Sequence, residues 1–203
     1  MSLSKAAATA VFAGLVALGG SFTTAQAASP ATPAHTGPAH GLALAKQVFS
    51  SANPSRAYAR LSAADKAAFD GVEKPVSVNR TVRTAAIRPM SGGCWDEWVR
   101  YDFRAAAGNT VYTAWQGLNW CSNGSGITGY HVYDRGGETS TPGWSFQGDN
   151  GQGSRNVGWE VRQYTKEKFT FGIGSYGYSA NTCVQIRGGA TGLYSSSASC
   201  SLY

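Results

Sequence analysis

The side chains able to do chemistry are few and unevenly placed. Cysteines stand at 94, 121, 183 and 200, histidines at 35, 40 and 131, and all six tryptophans fall between residues 95 and 159. No two cysteines have Cys-x-x-Cys spacing, so a zinc site is not indicated. An even count in an exported chain reads as two disulfides instead, which leaves no thiolate nucleophile. His131 sits in the alternating stretch "GYHVYDR", and no Gly-x-Ser-x-Gly turn offers it a serine to activate. Asp96, Glu97, Asp102 and Glu160 could act as paired carboxylates of the glycosidase kind only if the fold brought them together. The run "GDNGQGSRN" at 148–156 lacks the alternating carboxylates and closing Glu of a calcium loop and reads as a hairpin loop. The expectation is therefore a protein that binds and does not catalyse, with no catalytic residue, no metal and no cofactor.

The elements that must position these residues are strands. Val99, Tyr101 and Phe103 alternate with Arg100, Asp102 and Arg104, and Val111, Thr113 and Trp115 alternate with Tyr112 and Ala114. Similar runs cover 127–133, 143–146, 157–164, 169–173, 183–187 and 193–199. Gly108-Asn109, Asn123-Gly124, Gly136-Gly137, Asp149-Asn150-Gly151 and Gly188-Gly189 punctuate them. The pattern predicts a mainly β protein, an antiparallel β-sandwich or small barrel of about eight strands.

Hairpin arithmetic then selects among the three connectivities that four cysteines allow. Cys94 and Cys121 centre on residues 107–108, at a turn, and Cys183 and Cys200 centre on 191–192, at Thr191-Gly192. Both pairs can face each other across a hairpin, and the expected bridges are Cys94–Cys121 and Cys183–Cys200. Trp95 and Trp120 would flank the first bridge. A thin sandwich core holds three or four indoles, since each buries roughly 150–250 Å2. Trp98, Trp144, Trp159, Tyr130, Tyr133, Tyr176 and Tyr178 are the candidates for a binding surface.

Upstream of this lies different chemistry. Residues 1–27 have a positive start at Lys5, an apolar stretch to Leu18 and the small-x-small site Ala25-Gln26-Ala27, the form of a signal peptide; no later stretch could span a membrane. Residues 28–90 form a basic Ala/Pro-rich arm without Trp or Cys. Eight Lys/Arg against three Asp/Glu give it +5, whereas residues 91–203, the disulfide-stapled domain, carry eight of each. That balance denies the domain the basic footprint of a nucleic-acid binder. His35 and His40 fall in a solvated linker. Helices are predicted over 41–49 and from Ser62, whose Asp65 three residues on completes a capping-box pattern, to a stop at Gly71. Each is too short to stand alone, so the arm must dock or stay partly disordered. Val76, Val78 and Val82, with Arg80 and Arg83, would let residues 75–83 join a sheet edge.

The run "CWDEWVRYDF…VYTAWQGLNWCSNGSGIT", with "YARLSAADKAAF" at 58–69, resembles a group of uncharacterised small secreted proteins of actinobacteria. The β domain is also faintly similar to lactococcin-972-type bacteriocins, which would imply an antibacterial role. The layout of secreted arm and small β domain looks like adaptor subunits of secreted toxin particles. None of these likenesses assigns a functional residue. The expectations that follow are an extracellular protein-binding or adaptor module, an antibacterial or inhibitor polypeptide, or a carbohydrate-binding or carbohydrate-active sandwich. The partner would be another secreted or cell-surface protein, or a polysaccharide.

Overall fold

The computed structural model describes residues 37–85 and 93–203. The expected signal peptide, the start of the arm and His35 lie outside these residues. The described chain begins with three helices, α1 (Pro38–Phe49), α2 (Pro54–Ala59) and α3 (Ala63–Glu73). Eight strands follow: β1 (Pro75–Ala85), β2 (Gly93–Ala105), β3 (Thr110–Ser122), β4 (Ile127–Glu138), β5 (Trp144–Asn156), β6 (Glu160–Ile173), β7 (Tyr176–Gly189) and β8 (Gly192–Ser197). They form two four-stranded antiparallel meanders, β1-β2-β3-β4 and β5-β6-β7-β8, which is the sandwich form of the expected fold.

The alternation along each strand decides what is buried. On β2 and β3, Val99, Tyr101, Ala114, Leu118 and Trp120 point inward. On β6 and β7, Val161, Phe169, Phe171, Val184 and Ile186 meet them. Tyr112 links the layers by stacking on Phe169 at 4.3 Å and lying 5.0 Å from Trp144.

The strand count of eight arises differently from the expected one. The two runs at 157–164 and 169–173 are one strand, β6, and the eighth is β1, from the arm. Nor is 148–156 a hairpin loop. It belongs to β5, whose ladder to β6 shifts register between Phe146 and Gly148 and again between Asp149 and Gln152. Gly148 and Gly151, at φ of 93° and 123°, allow those bulges, which look like turns in sequence. Gly136-Gly137 likewise lies inside β4.

Cys94 pairs with Cys121 across β2 and β3, and the two are bridged. Cys183 is bridged to Cys200, but Cys200 lies beyond the end of β8. The second disulfide thus pins the C-terminal tail, and the hairpin geometry expected for it is replaced by strand-to-tail geometry. Arg162 Nη1 donates to Leu202 O at 2.9 Å and holds the same tail.

Residues 37–85 are part of the core, so the expected boundary at residue 90 is not a boundary in packing. The cap of α3 forms as expected, with Asp65 N donating to Ser62 Oγ at 3.1 Å, but the helix runs past Gly71 to Glu73. α1 buries Leu44, Ala45 and Val48, and α3 buries Phe69 and Val72. Phe69 packs on Phe49, Tyr58 and Phe171 and so closes one end of the gap between the sheets. Gly41 lets α1 approach, since a Cβ there would lie 2.4 Å from Ala68 O. His40 is not a linker residue either: it lies in α1, with Nε2 2.9 Å from Asp65 Oδ1.

The last carbonyls of a helix need partners, and the sandwich supplies them to α3. Ala107 N donates to Gly71 O (3.0 Å), Asn109 Nδ2 to Val72 O (2.9 Å), and Trp144 Nε1 and Tyr178 OH both donate to Glu73 O (3.1 Å). The Glu73 side chain is 1% exposed, and neither carboxylate oxygen has a hydrogen-bond partner among the described residues. Burial pushes this carboxyl up to about 8.

Candidate functional site

The outward face of the first sheet gathers aromatic and charged side chains. β2 contributes Trp98, Arg100 and Asp102, β3 contributes Thr113 and Trp115, and β4 contributes Tyr133, Asp134 and Glu138. Their assembly follows from register. Trp98 pairs with Gly117, Arg100 with Trp115 and Asp102 with Thr113 across β2 and β3, while Gly117 pairs with Asp134 and Trp115 with Gly136 across β3 and β4.

Two glycines let the rings lie flat on the sheet. The Tyr133 ring covers Gly117, where a Cβ would meet it at 2.5 Å, and the Trp115 indole covers Gly136, where the distance would be 2.8 Å. Asp134 then fixes both indoles, accepting from Trp98 Nε1 at 2.9 Å and from Trp115 Nε1 at 3.3 Å. The Arg83 guanidinium of β1 stacks 4.9 Å from the Trp98 ring. Arg100 is held by Asp102 at 2.7 Å, by Glu138 at 3.1 Å and by Thr113 Oγ1 at 3.1 Å. Tyr133 stays 45% exposed; burial of its remainder and the adjacent Asp96 raise its phenol above the ordinary range.

A groove of about 390 Å3 runs between Arg83, Trp98, Arg100, Trp115, Asp134 and Glu138. Rings held by fixed hydrogen bonds lose little entropy when a partner covers them. The face is thus pre-arranged for contact, with stacking surfaces, a guanidinium fork and carboxylates side by side.

The seven aromatics expected to form the binding surface separate into four places. Trp98 and Tyr133 are on this face. Tyr130 turns to the inner side, its hydroxyl 3.2 Å from Ser154 Oγ at the β4–β5 seam. Trp159 is 54% exposed beside Tyr194. Trp144 is buried, and Tyr178 sits with it beneath α3, while Tyr176 stacks on Tyr58 of α2. Trp144 and Tyr178 were expected outside because the core was counted without its helical end, whose carbonyl they bind.

Trp115, Asp134, Arg100 and the two glycines were missed. The signal existed: the register that pairs Cys94 with Cys121 also pairs Trp98 with Gly117 and Arg100 with Trp115. Of the expected arm contacts, Val82 packs against the core, Val76 and Val78 are exposed, and Arg80 Nη1 donates to Ser196 Oγ at 3.2 Å.

The carboxylates considered for catalysis do not converge. Asp96 and Asp102 lie on the outer face of the first sheet. Glu97 points inward and accepts from Thr84 Oγ1 at 2.9 Å. Glu160 lies on the second sheet, clasped by Arg162 and Arg187. Against the cost of its burial, the hydrogen bonds from Arg187 and Arg162 hold the Glu160 carboxyl below its usual range. Among the described residues no three His, Cys, Asp or Glu side chains gather as metal ligands, and no helix is long and apolar enough to cross a membrane. Compared with known proteins, the chain matches no family model, no curated protein and no solved structure.

Proposed function

We propose that the chain is a secreted, non-catalytic binding module that docks a protein partner on the outward face of its first sheet. The observation that carries this is the gathering of Trp98, Trp115, Tyr133, Arg83 and Arg100 on one solvent-facing surface, pinned by Asp134. Trp, Tyr and Arg are the residue types that dominate binding energy at protein interfaces. A small-molecule site is typically concave and mostly apolar; this groove is shallow and lined by two indoles and four charged side chains. The two disulfides are compatible with work outside the cytoplasm.

The test is retention of partners from culture supernatant by the immobilised mature protein and by its Tyr133→Ala and Trp98→Ala variants. The expected result is a stoichiometric protein lost from both variants, each with native stability. Truncating a residue central to such an interface costs about 2 kcal/mol or more, roughly thirtyfold in affinity. Retention of a polysaccharide by the same face would replace the protein partner with a glycan. Retention unaffected by either variant would overturn the assignment.

A further inference from the structure

We infer that β1 is a strand-addition site for an extended acidic segment of another polypeptide. The inference concerns the open backbone edge of β1, which borders the aromatic face at Arg83, and does not depend on the partner proposed for that face.

The sandwich has four edge strands, and three of them are blunted. β4 and β5 lie against each other along a seam closed by Ile127 N donating to Gly158 O at 2.7 Å, by Tyr130 with Ser154, and by the Arg135–Asp149 ion pair at 2.7 Å. β5 is further broken by its two register shifts, and bulges spoil an edge as a template. β8 is only six residues long. β1 differs. Past a bulge at Val76, its pairing with β2 runs unbroken from Ser77 to Ala85. Among the described residues no strand pairs with its other side. Its sequence, with Val76, Val78, Thr81, Val82 and Thr84, favours extended backbone, and no proline follows Pro75.

Charge selects the occupant. β1 carries Arg80 and Arg83 and no acidic residue, and Lys74 precedes it. Among the described residues neither arginine has a carboxylate partner: Arg80 reaches a serine hydroxyl and Arg83 an indole ring. Pairing with a second copy of β1 in antiparallel fashion would set these arginines near their own images, and like charges opposed across strands are destabilising. Arg80 and Arg83 stand three residues apart and point to opposite faces, Arg80 toward Ser196 and Arg83 toward Trp98. Pairing with a segment bearing Glu or Asp three residues apart would therefore give both guanidiniums their carboxylates while the backbone ladder supplied affinity. The basic side chains that guard the edge against self-association are the ones that would attract such a segment.

The experiment uses the full mature protein and a labelled, end-capped peptide of the length of β1 in which Glu recurs at every third position among Val and Thr, so that carboxylates lie on both faces of the added strand. Binding is followed by anisotropy, and its location by hydrogen exchange. The expected results are new protection confined to residues 77–85, weakening as salt is raised, and a loss of at least about tenfold in affinity with Arg80→Glu plus Arg83→Glu. Arg80→Gln plus Arg83→Gln should fall between, and Tyr133→Ala should bind the peptide as the parent does. Any of three outcomes would overturn the inference. These are equal binding of a Lys-for-Glu peptide, protection elsewhere than β1, and protection of 77–85 without peptide that grows with protein concentration, which would assign the edge to a second copy.

Discussion

Replacing Glu73 by Gln should make the protein more stable, and by an amount that depends on pH. The carboxyl is sealed beneath the end of α3, 1% exposed and without a hydrogen-bond partner for either oxygen among the described residues, and burial lifts it from an ordinary 4.5 to about 8. The unfolded chain loses this proton near 4.5 and the folded chain near 8. Between those values the native state holds more protons than the unfolded one, so stability falls as pH rises; below and above the window this group contributes no slope. At ~1.4 kcal/mol per pH, the penalty relative to acid conditions reaches about 3 kcal/mol at pH 7 and about 5 kcal/mol above 8, as upper figures. A glutamine stands in for the protonated acid and does not titrate. Glu73→Gln should therefore match the parent near pH 4.5 and exceed it by about 3 kcal/mol at pH 7, or roughly 6–12 °C in Tm for a chain of this size. Urea unfolding of both proteins with disulfides intact, from pH 4.5 to 9, measures the gap. Glu167, also buried and raised to about 7, contributes equally to both proteins and cancels. A gap that does not change with pH, or a variant less stable at pH 8, would refute the reasoning.

Other expectations concern the rest of the scaffold. Phe69→Ala should cost about 3–5 kcal/mol in urea unfolding, although Phe69 lies in the arm, because it fills the end of the core; a cost under about 1 kcal/mol would mean the helices are only draped on the sandwich. Replacing Cys94 and Cys121 together by Ala should cost about 3–4 kcal/mol from the 27-residue separation they bridge, in the chain-entropy picture, and non-reduced peptide mapping of the parent should return Cys94–Cys121 and Cys183–Cys200. Glu160→Gln leaves Arg162 and Arg187 without their shared carboxylate and should cost about 2–3 kcal/mol at pH 7. The Glu160 carboxyl is depressed in the fold, so this cost should be present above the ordinary carboxylate range and vanish as pH falls through the folded value.

Much of the architecture was legible in local pattern, because a strand's two-residue period and a helix cap are local physics. Alternation placed Val99 and Tyr101 against Arg100 and Asp102 on opposite faces, and Ser62 with Asp65 marked the start of α3. One hairpin centre paired Cys94 with Cys121 and, with the same register, set Trp98 over Gly117. What local pattern could not show is which surfaces meet. The arm differs from the rest of the chain in composition, yet burial follows shape and not composition. The open end of the sandwich needed apolar volume, which Phe69 and Val72 supplied, and α3 needed partners for its last carbonyls, which Asn109, Trp144 and Tyr178 supplied. Those long-range contacts moved Trp144 from an expected surface to the interior. They also left the Glu73 carboxylate buried without a hydrogen-bond partner among the described residues. The glycines at 148 and 151 read as a turn because a bulge and a turn need the same positive φ, and only pairing with β6 tells the two apart. Asp134 joined Trp98 and Trp115 for the same reason: three strands had to pair before one carboxylate could reach two indoles.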